Sequence, residues 1–180
     1  MRGYTLVETV IVIALAALMF LVLTSFFYGW NSLYEYQAAR VATAGSAGEV
    51  IRRTGSLVRA ADQVLASHSF SDATYASGST TLVLALPSIA EDGATIGGAF
   101  DYAVVYATGT KVVLQVAPSA ASSRAALTRQ LTEHLFSLVF TYDDTSFPAV
   151  SKVGIDLVTR AMAKEQELAS HRYEQVYLRN

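Results

Sequence analysis

A run without a single charge, from Thr9 to Tyr34, limits what the amino-terminal part of this chain can become. Within it, Val10 to Phe27 is apolar apart from Thr24 and Ser25. A bilayer core of about 30 Å is spanned by roughly 20 apolar residues in helical form. A single span satisfies its own backbone hydrogen bonds only as a helix, so this run is expected to be a transmembrane helix. Arg2 alone bears on orientation, and it favours a cytoplasmic amino terminus. One carboxylate, Glu8, sits at the edge of the run. An ionisable group in that position costs free energy and marks a functional site by default, with a cationic partner to be found. A free α-amino group, cationic below about pH 8, is the natural candidate if the chain is cut nearby.

The rest of the chain is long enough to bury a core on such an anchor. Net charge of −2 offers no argument for a nucleic-acid or membrane-surface partner, and the absence of cysteine excludes disulfides and thiolate metal sites. After the span, Asn31 to Ala61 holds no proline, and Val41, Ala44, Gly48, Ile51, Gly55 and Val58 recur at helical steps. Glu49, Arg52, Arg53 and Arg59 fall on the other sides. One helix is therefore expected from Thr5 to Ala61, roughly 85 Å long at about 1.5 Å per residue. Ser25 and Gly29 are its softest points.

Beyond Ala61 the pattern turns to strands. Thr81 to Leu86 alternates, with Leu82, Leu84 and Leu86 on one face, and is expected to stop at Pro87. Asp101–Tyr106 and Lys111–Val116 read as a hairpin across Ala107–Thr110, and Leu135–Tyr142 with Val150–Thr159 as a second. Ser67–Thr80 and Ile89–Gly98 read as loops, the former with at most a short strand. Hydrophilic Lys164–His171 precedes a last strand, Tyr173–Leu178. The fold expected is α+β, a long amino-terminal helix packed against a small antiparallel β head. Its divisions are residues 4–30 as membrane helix, 31–61 as the amphipathic half of the same helix, and 62–180 as the head.

Gly3-Tyr4-Thr5-Leu6-Val7-Glu8, followed at once by the apolar run, resembles the processing motif of type IV prepilins and type II secretion pseudopilins. The resemblance implies that residues 1–3 are a leader, that a prepilin peptidase cuts after Gly3, and that Tyr4 becomes a methylated amino terminus. It also implies that Glu8 neutralises the amino terminus of a neighbouring subunit and sets axial register during filament assembly. The implied partners are other pilin or pseudopilin subunits, the peptidase, an inner-membrane assembly platform and membrane lipids. Two features depart from the family: the leader is only three residues, and no proline interrupts the span. Tyr102–Tyr106, Arg124, Leu127–Leu131, Val139–Tyr142 and Val176–Asn180 resemble the heads of minor pilins and pseudopilins of the J or W type.

No catalytic pattern competes with this reading. His68, His134 and His171 lack ligand spacing, and no Gly-x-Ser-x-Gly elbow occurs. Neither an enzyme nor a cofactor is expected. Asp143 and Asp144 are better explained as turn residues than as calcium ligands, and Glu133–His134 as a solvated pair near a short helix. Arg52, Arg53, Arg59, Arg172 and Arg179 are balanced by acidic residues, which weighs against DNA as a partner. The rival class is a membrane-anchored extracytoplasmic adhesion or DNA-binding domain that never polymerises.

Overall fold

The computed structural model describes residues 5–164 and 166–179. It shows an α+β fold in which one helix, α1 (Leu6–Ala60), runs unbroken through Ser25 and Gly29. Thr5 caps its start, and Ala61 leaves the helix in an extended conformation with its N–H on the Val58 carbonyl. Arg59 in the last turn complements the partial negative charge of the helix end.

Among the described residues ten strands follow: β1 (Gln63–Val64), β2 (Ser67–Ser69), β3 (Thr74–Ala76), β4 (Thr81–Ile89), β5 (Thr95–Thr108), β6 (Lys111–Ala117), β7 (Leu127–Thr132), β8 (Leu135–Tyr142), β9 (Lys152–Ala163) and β10 (Gln166–Tyr177). All pairings are antiparallel. They form a five-stranded sheet, β1-β4-β5-β6-β7, a three-stranded sheet, β10-β9-β8, and a two-stranded ribbon, β2-β3. Hydrogen bonds stitch the two larger sheets along β8, from Leu135 N to the Thr110 carbonyl (2.8 Å) and from Phe140 N to the Ser79 carbonyl (2.7 Å). Tyr142 adds its hydroxyl to the Gly78 carbonyl at 2.9 Å.

The two sheets share one core with the last third of α1. Ala47, Val50 and Val58 pack with Leu82, Leu84, Leu86, Ile155 and Leu157, all fully buried. The alternation expected of Leu82, Leu84 and Leu86 is therefore present. The outer face of the five-stranded sheet is covered by the β2-β3 ribbon, where Phe70, Val83 and Val104 form a smaller cluster. Tyrosines serve this packing: Tyr75 meets Tyr106 at 4.7 Å between ring centroids, and Tyr102 stacks on His68 at 3.6 Å.

Six expectations need correction. The buried stripe of α1 is Thr43, Ala47, Val50, Ile51, Thr54, Gly55 and Val58, whereas Val41 and Gly48 are exposed. Small and hydroxylated residues give that helix little contrast between faces, so its phase depends on the sheet. Thr43 is tolerated inside because its hydroxyl bonds the Ala39 carbonyl at 3.0 Å. β4 also continues through Pro87 to Ile89. β1 covers β4 only at Leu84–Ala85, so Pro87 meets no strand on that side, and the ladder shifts register after it. Ser67–Thr80 supplies two strands, and β5 starts at Thr95, inside the stretch read as a loop. Lys164–His171 is largely strand, because β10 pairs with β9 from Gln166 opposite Ala163 to Tyr177 opposite Lys152. Glu133 and His134 lie in the short connection between β7 and β8, with no helix there.

Two turns show their chemistry. Gly109 takes φ 57 in the two-residue link of β5 to β6, as a turn with glycine at its first central position requires. Lys164, at the β9-β10 turn, takes φ 55, a left-handed state that costs a non-glycine residue on the order of 1 kcal/mol.

Candidate assembly stem and the polar groups of the head

From Thr5 to Asn31 every side chain except Thr24 is exposed, and the most apolar window of α1 has no buried residue. The stem is long and apolar enough to cross a membrane. Its polar interruptions are satisfied within the helix, since the Thr24 hydroxyl donates to the Phe20 carbonyl at 2.8 Å and that of Thr9 to the Thr5 carbonyl at 3.3 Å. This pairing lets a hydroxyl enter hydrocarbon without an open donor. Aromatic residues gather where the run ends, at Phe26, Phe27, Tyr28, Trp30 and Tyr34, with the Phe26 and Trp30 rings stacked at 6.0 Å. Asn31 then donates to Glu35 at 3.0 Å, the first charged residue beyond the run.

Gly3 and Tyr4, the residues expected to flank a cleavage point, lie outside the described residues. Glu8 is within them and forms a reciprocal cap with Thr5. The Glu8 N–H donates to the Thr5 hydroxyl at 3.4 Å, while Glu8 Oε2 accepts from the Thr5 N–H at 3.0 Å and from its hydroxyl at 3.1 Å. The carboxylate thereby satisfies a helix-terminal donor and also lies at the positive end of the helix dipole. Thr5-x-x-Glu8 is a readable capping signature that the sequence reading passed over. A local partner thus exists for a charge that the sequence reading assigned only to a neighbouring chain.

Among the described residues of the head, the one deeply buried carboxylate is Asp101. Its Oδ1 accepts from the Ser88 hydroxyl (2.8 Å) and the Ser119 N–H (2.9 Å), and its Oδ2 from the Ser122 hydroxyl (2.8 Å) and Arg124 Nε (2.8 Å). Arg124 also reaches the Pro87 carbonyl at 3.2 Å. Burial pushes the Asp101 carboxyl up, but these four donors outweigh it and hold the group below the usual carboxylate range. These four bonds pin the Ala117–Leu127 loop to the end of β4. The sequence reading named Arg124 only through resemblance and missed Asp101 as its partner, 23 residues earlier in the chain.

The remaining candidates also have structural partners. Asp143 accepts from the Ser151 N–H (3.1 Å), the Ser151 hydroxyl (2.6 Å) and the Lys152 N–H (3.1 Å), and Asp144 from the Ser146 N–H at 2.7 Å. Among the described residues, no three His, Asp or Glu side chains converge as a metal site would need. His68 lies under Tyr102, His134 in the β7-β8 link, and His171 beside Asp156 at 2.8 Å. Three arginines in the last turns of α1 are paired: Arg52 and Arg53 bind Glu49, and Arg59 binds Glu174 at 2.7 Å. Hydrogen bonds from Arg53 and then Arg52 push the Glu49 carboxyl down to about 2. No protein-family model, curated protein or solved structure matches the chain.

Proposed function

We propose that this chain is a structural subunit, of the minor class, of a type IV pilus or type II secretion pseudopilus. It is cut after Gly3 by a prepilin peptidase, waits in the cytoplasmic membrane with its head outside, and is then lifted into a filament through its stem. The supporting observation is the division of α1: its apolar half is exposed on every side, while its last third buries one stripe in the head. A membrane solvates that apolar half in the single subunit, and packed stems of neighbours replace lipid in the filament. Within such a bundle a bare carboxylate is costly, and exchange of the Thr5 cap for a neighbour's amino terminus selects one axial offset.

The test separates processing from assembly. Glu8→Ala is expected to be cut normally, remain in the membrane and enter filaments poorly, whereas a bulkier residue at Gly3 blocks the cut. Intact mass of assembled material should show a mature chain beginning at a methylated Tyr4. Recovery of Met1 in filaments, or normal incorporation of Glu8→Ala, would refute the corresponding part. Absence from any filament would favour a non-polymerising anchored domain.

A further inference from the structure

The seam between α1 and β10 is closed by opposite charges at both ends. Near the carboxyl end of the helix, Arg59 meets Glu174 at 2.7 Å. Toward the stem, Lys164 Nζ stands 4.0 Å from Glu35 Oε2. Between these pairs lies a cleft of about 540 Å³ of a different make-up. Arg40 from α1 and Arg172 from β10 both line it, and no carboxylate does. The nearby carboxylates are already engaged, Glu35 by Lys164, Glu174 by Arg59 and Asp156 by His171 at 2.8 Å. Among the described residues neither Arg40 nor Arg172 has an acidic group within ion-pair distance. Arg172 also lies well into β10, about 20 Å along the strand from Gln166 at about 3.3 Å per residue, so the β9-β10 turn is out of its reach.

Two guanidiniums without a carboxylate between them call for an anion from outside. A single carboxylate would leave one positive charge over. A phosphate group carries about 1.5 to 2 negative charges at pH 7 and matches both. Its oxygens also suit the planar two-pronged donor of arginine. Tyr36 and Ser170 line the same cleft, one from each wall, and their hydroxyls bond no other described residue.

We infer that the α1-β10 cleft binds a phosphate dianion, held by Arg40 and Arg172 and completed by the Tyr36 and Ser170 hydroxyls. The bound anion joins helix to strand where they share no ion pair of their own. Its source is water-borne phosphate or a phosphate ester, not the headgroups around the stem. Arg40 stands about 20 Å beyond Phe27 along the axis at about 1.5 Å per residue. Headgroups add only about 5–8 Å to the hydrocarbon. That assignment of source rests on α1 crossing the bilayer, whereas the site itself is independent of filament assembly.

Full-length protein in dodecyl maltoside, in phosphate-free buffer, is titrated with inorganic phosphate, with sodium acetate and sodium chloride at matched ionic strength as controls. Phosphate should raise the melting temperature saturably and broaden its own phosphorus resonance, and neither control should reproduce the rise. Arg40→Gln and Arg172→Gln, both at exposed positions, should each weaken binding several-fold. Arg129→Gln, which removes an exposed arginine 3.9 Å from Glu49, should not. Equal effects of phosphate and acetate, or an unchanged affinity in either cleft variant, overturn the site. In vesicles of phosphatidylethanolamine and phosphatidylglycerol the chain should take up added phosphate as tightly as in detergent. A several-fold loss there would show headgroups filling the cleft and overturn the water-borne source.

Discussion

The two halves of α1 use the same backbone in opposite ways. Leu6 to Tyr34 is nearly all apolar and nearly all exposed, whereas Thr43 to Val58 is rich in small and hydroxylated residues and supplies the buried stripe. Apolar content therefore does not decide burial within this chain. The stem is too apolar on every side to choose one face against a head, while the second half has small side chains that let two sheets approach. A helix apolar all round needs an apolar surrounding, and one with a small-residue stripe needs a particular partner.

The harshest way to break this contrast is to remove the stem. Deleting residues 1–30 should leave a soluble, folded monomer with mixed helix and strand signals in circular dichroism. An aggregated or unfolded product would mean the stem contributes to the fold. Next in size, Leu157→Ala should cost about 3 kcal/mol by leaving a cavity. That lowers the melting temperature of the head by roughly 10 °C. Leu21→Ala, a loss of the same atoms from an exposed site, should leave head melting unchanged. A comparable drop for both would erase the distinction.

Asp101→Asn sharpens it within the head, because it leaves Arg124 without its carboxylate. We expect a loss of about 2–3 kcal/mol in chemical denaturation. The same groups set the acid limit. The Glu49, Asp101 and Asp143 carboxyls titrate lower in the folded head than in the unfolded chain. Their stabilisation is therefore complete above the ordinary carboxylate values. It fades as pH falls from about 4.5 toward the folded value of about 2 for Glu49. Denaturation midpoints should decline gently as pH falls below about 6.5, where burial of His68 disfavours its charged form. They should decline further below about 4.5, less steeply in Asp101→Asn. The smallest effect contrasts two glycines. Gly154→Ala sets a Cβ against Thr141 Oγ1 and should lower head stability by about 1 kcal/mol, while Gly29→Ala meets nothing within 4 Å and should leave head melting untouched.

Elements carried by local chemistry were legible before the structure. The uncharged run, the continuous helix, the alternation in Leu82–Leu86 and the β5-β6 hairpin each rest on neighbours within a few residues. Glu8 was found for its incongruity, yet its partner Thr5, three residues away, was overlooked although the capping pattern is local. Asp101 was not legible at all. It is one aspartate among several, and only the crossing of β4, β5 and the Ala117–Leu127 loop brings four donors onto it.

By itself the sequence determined that a helix too apolar for water precedes an antiparallel head, because hydropathy and strand periodicity are properties of short stretches. Tertiary structure decided the phase of the helix behind Thr43, the passage of β4 through Pro87, and the strand made from hydrophilic residues 166–171. Each of these depends on a surface supplied from far along the chain. A small-residue helix has no preferred face until a sheet covers one, and a polar edge strand is a strand only because its partner β9 is buried on the other face.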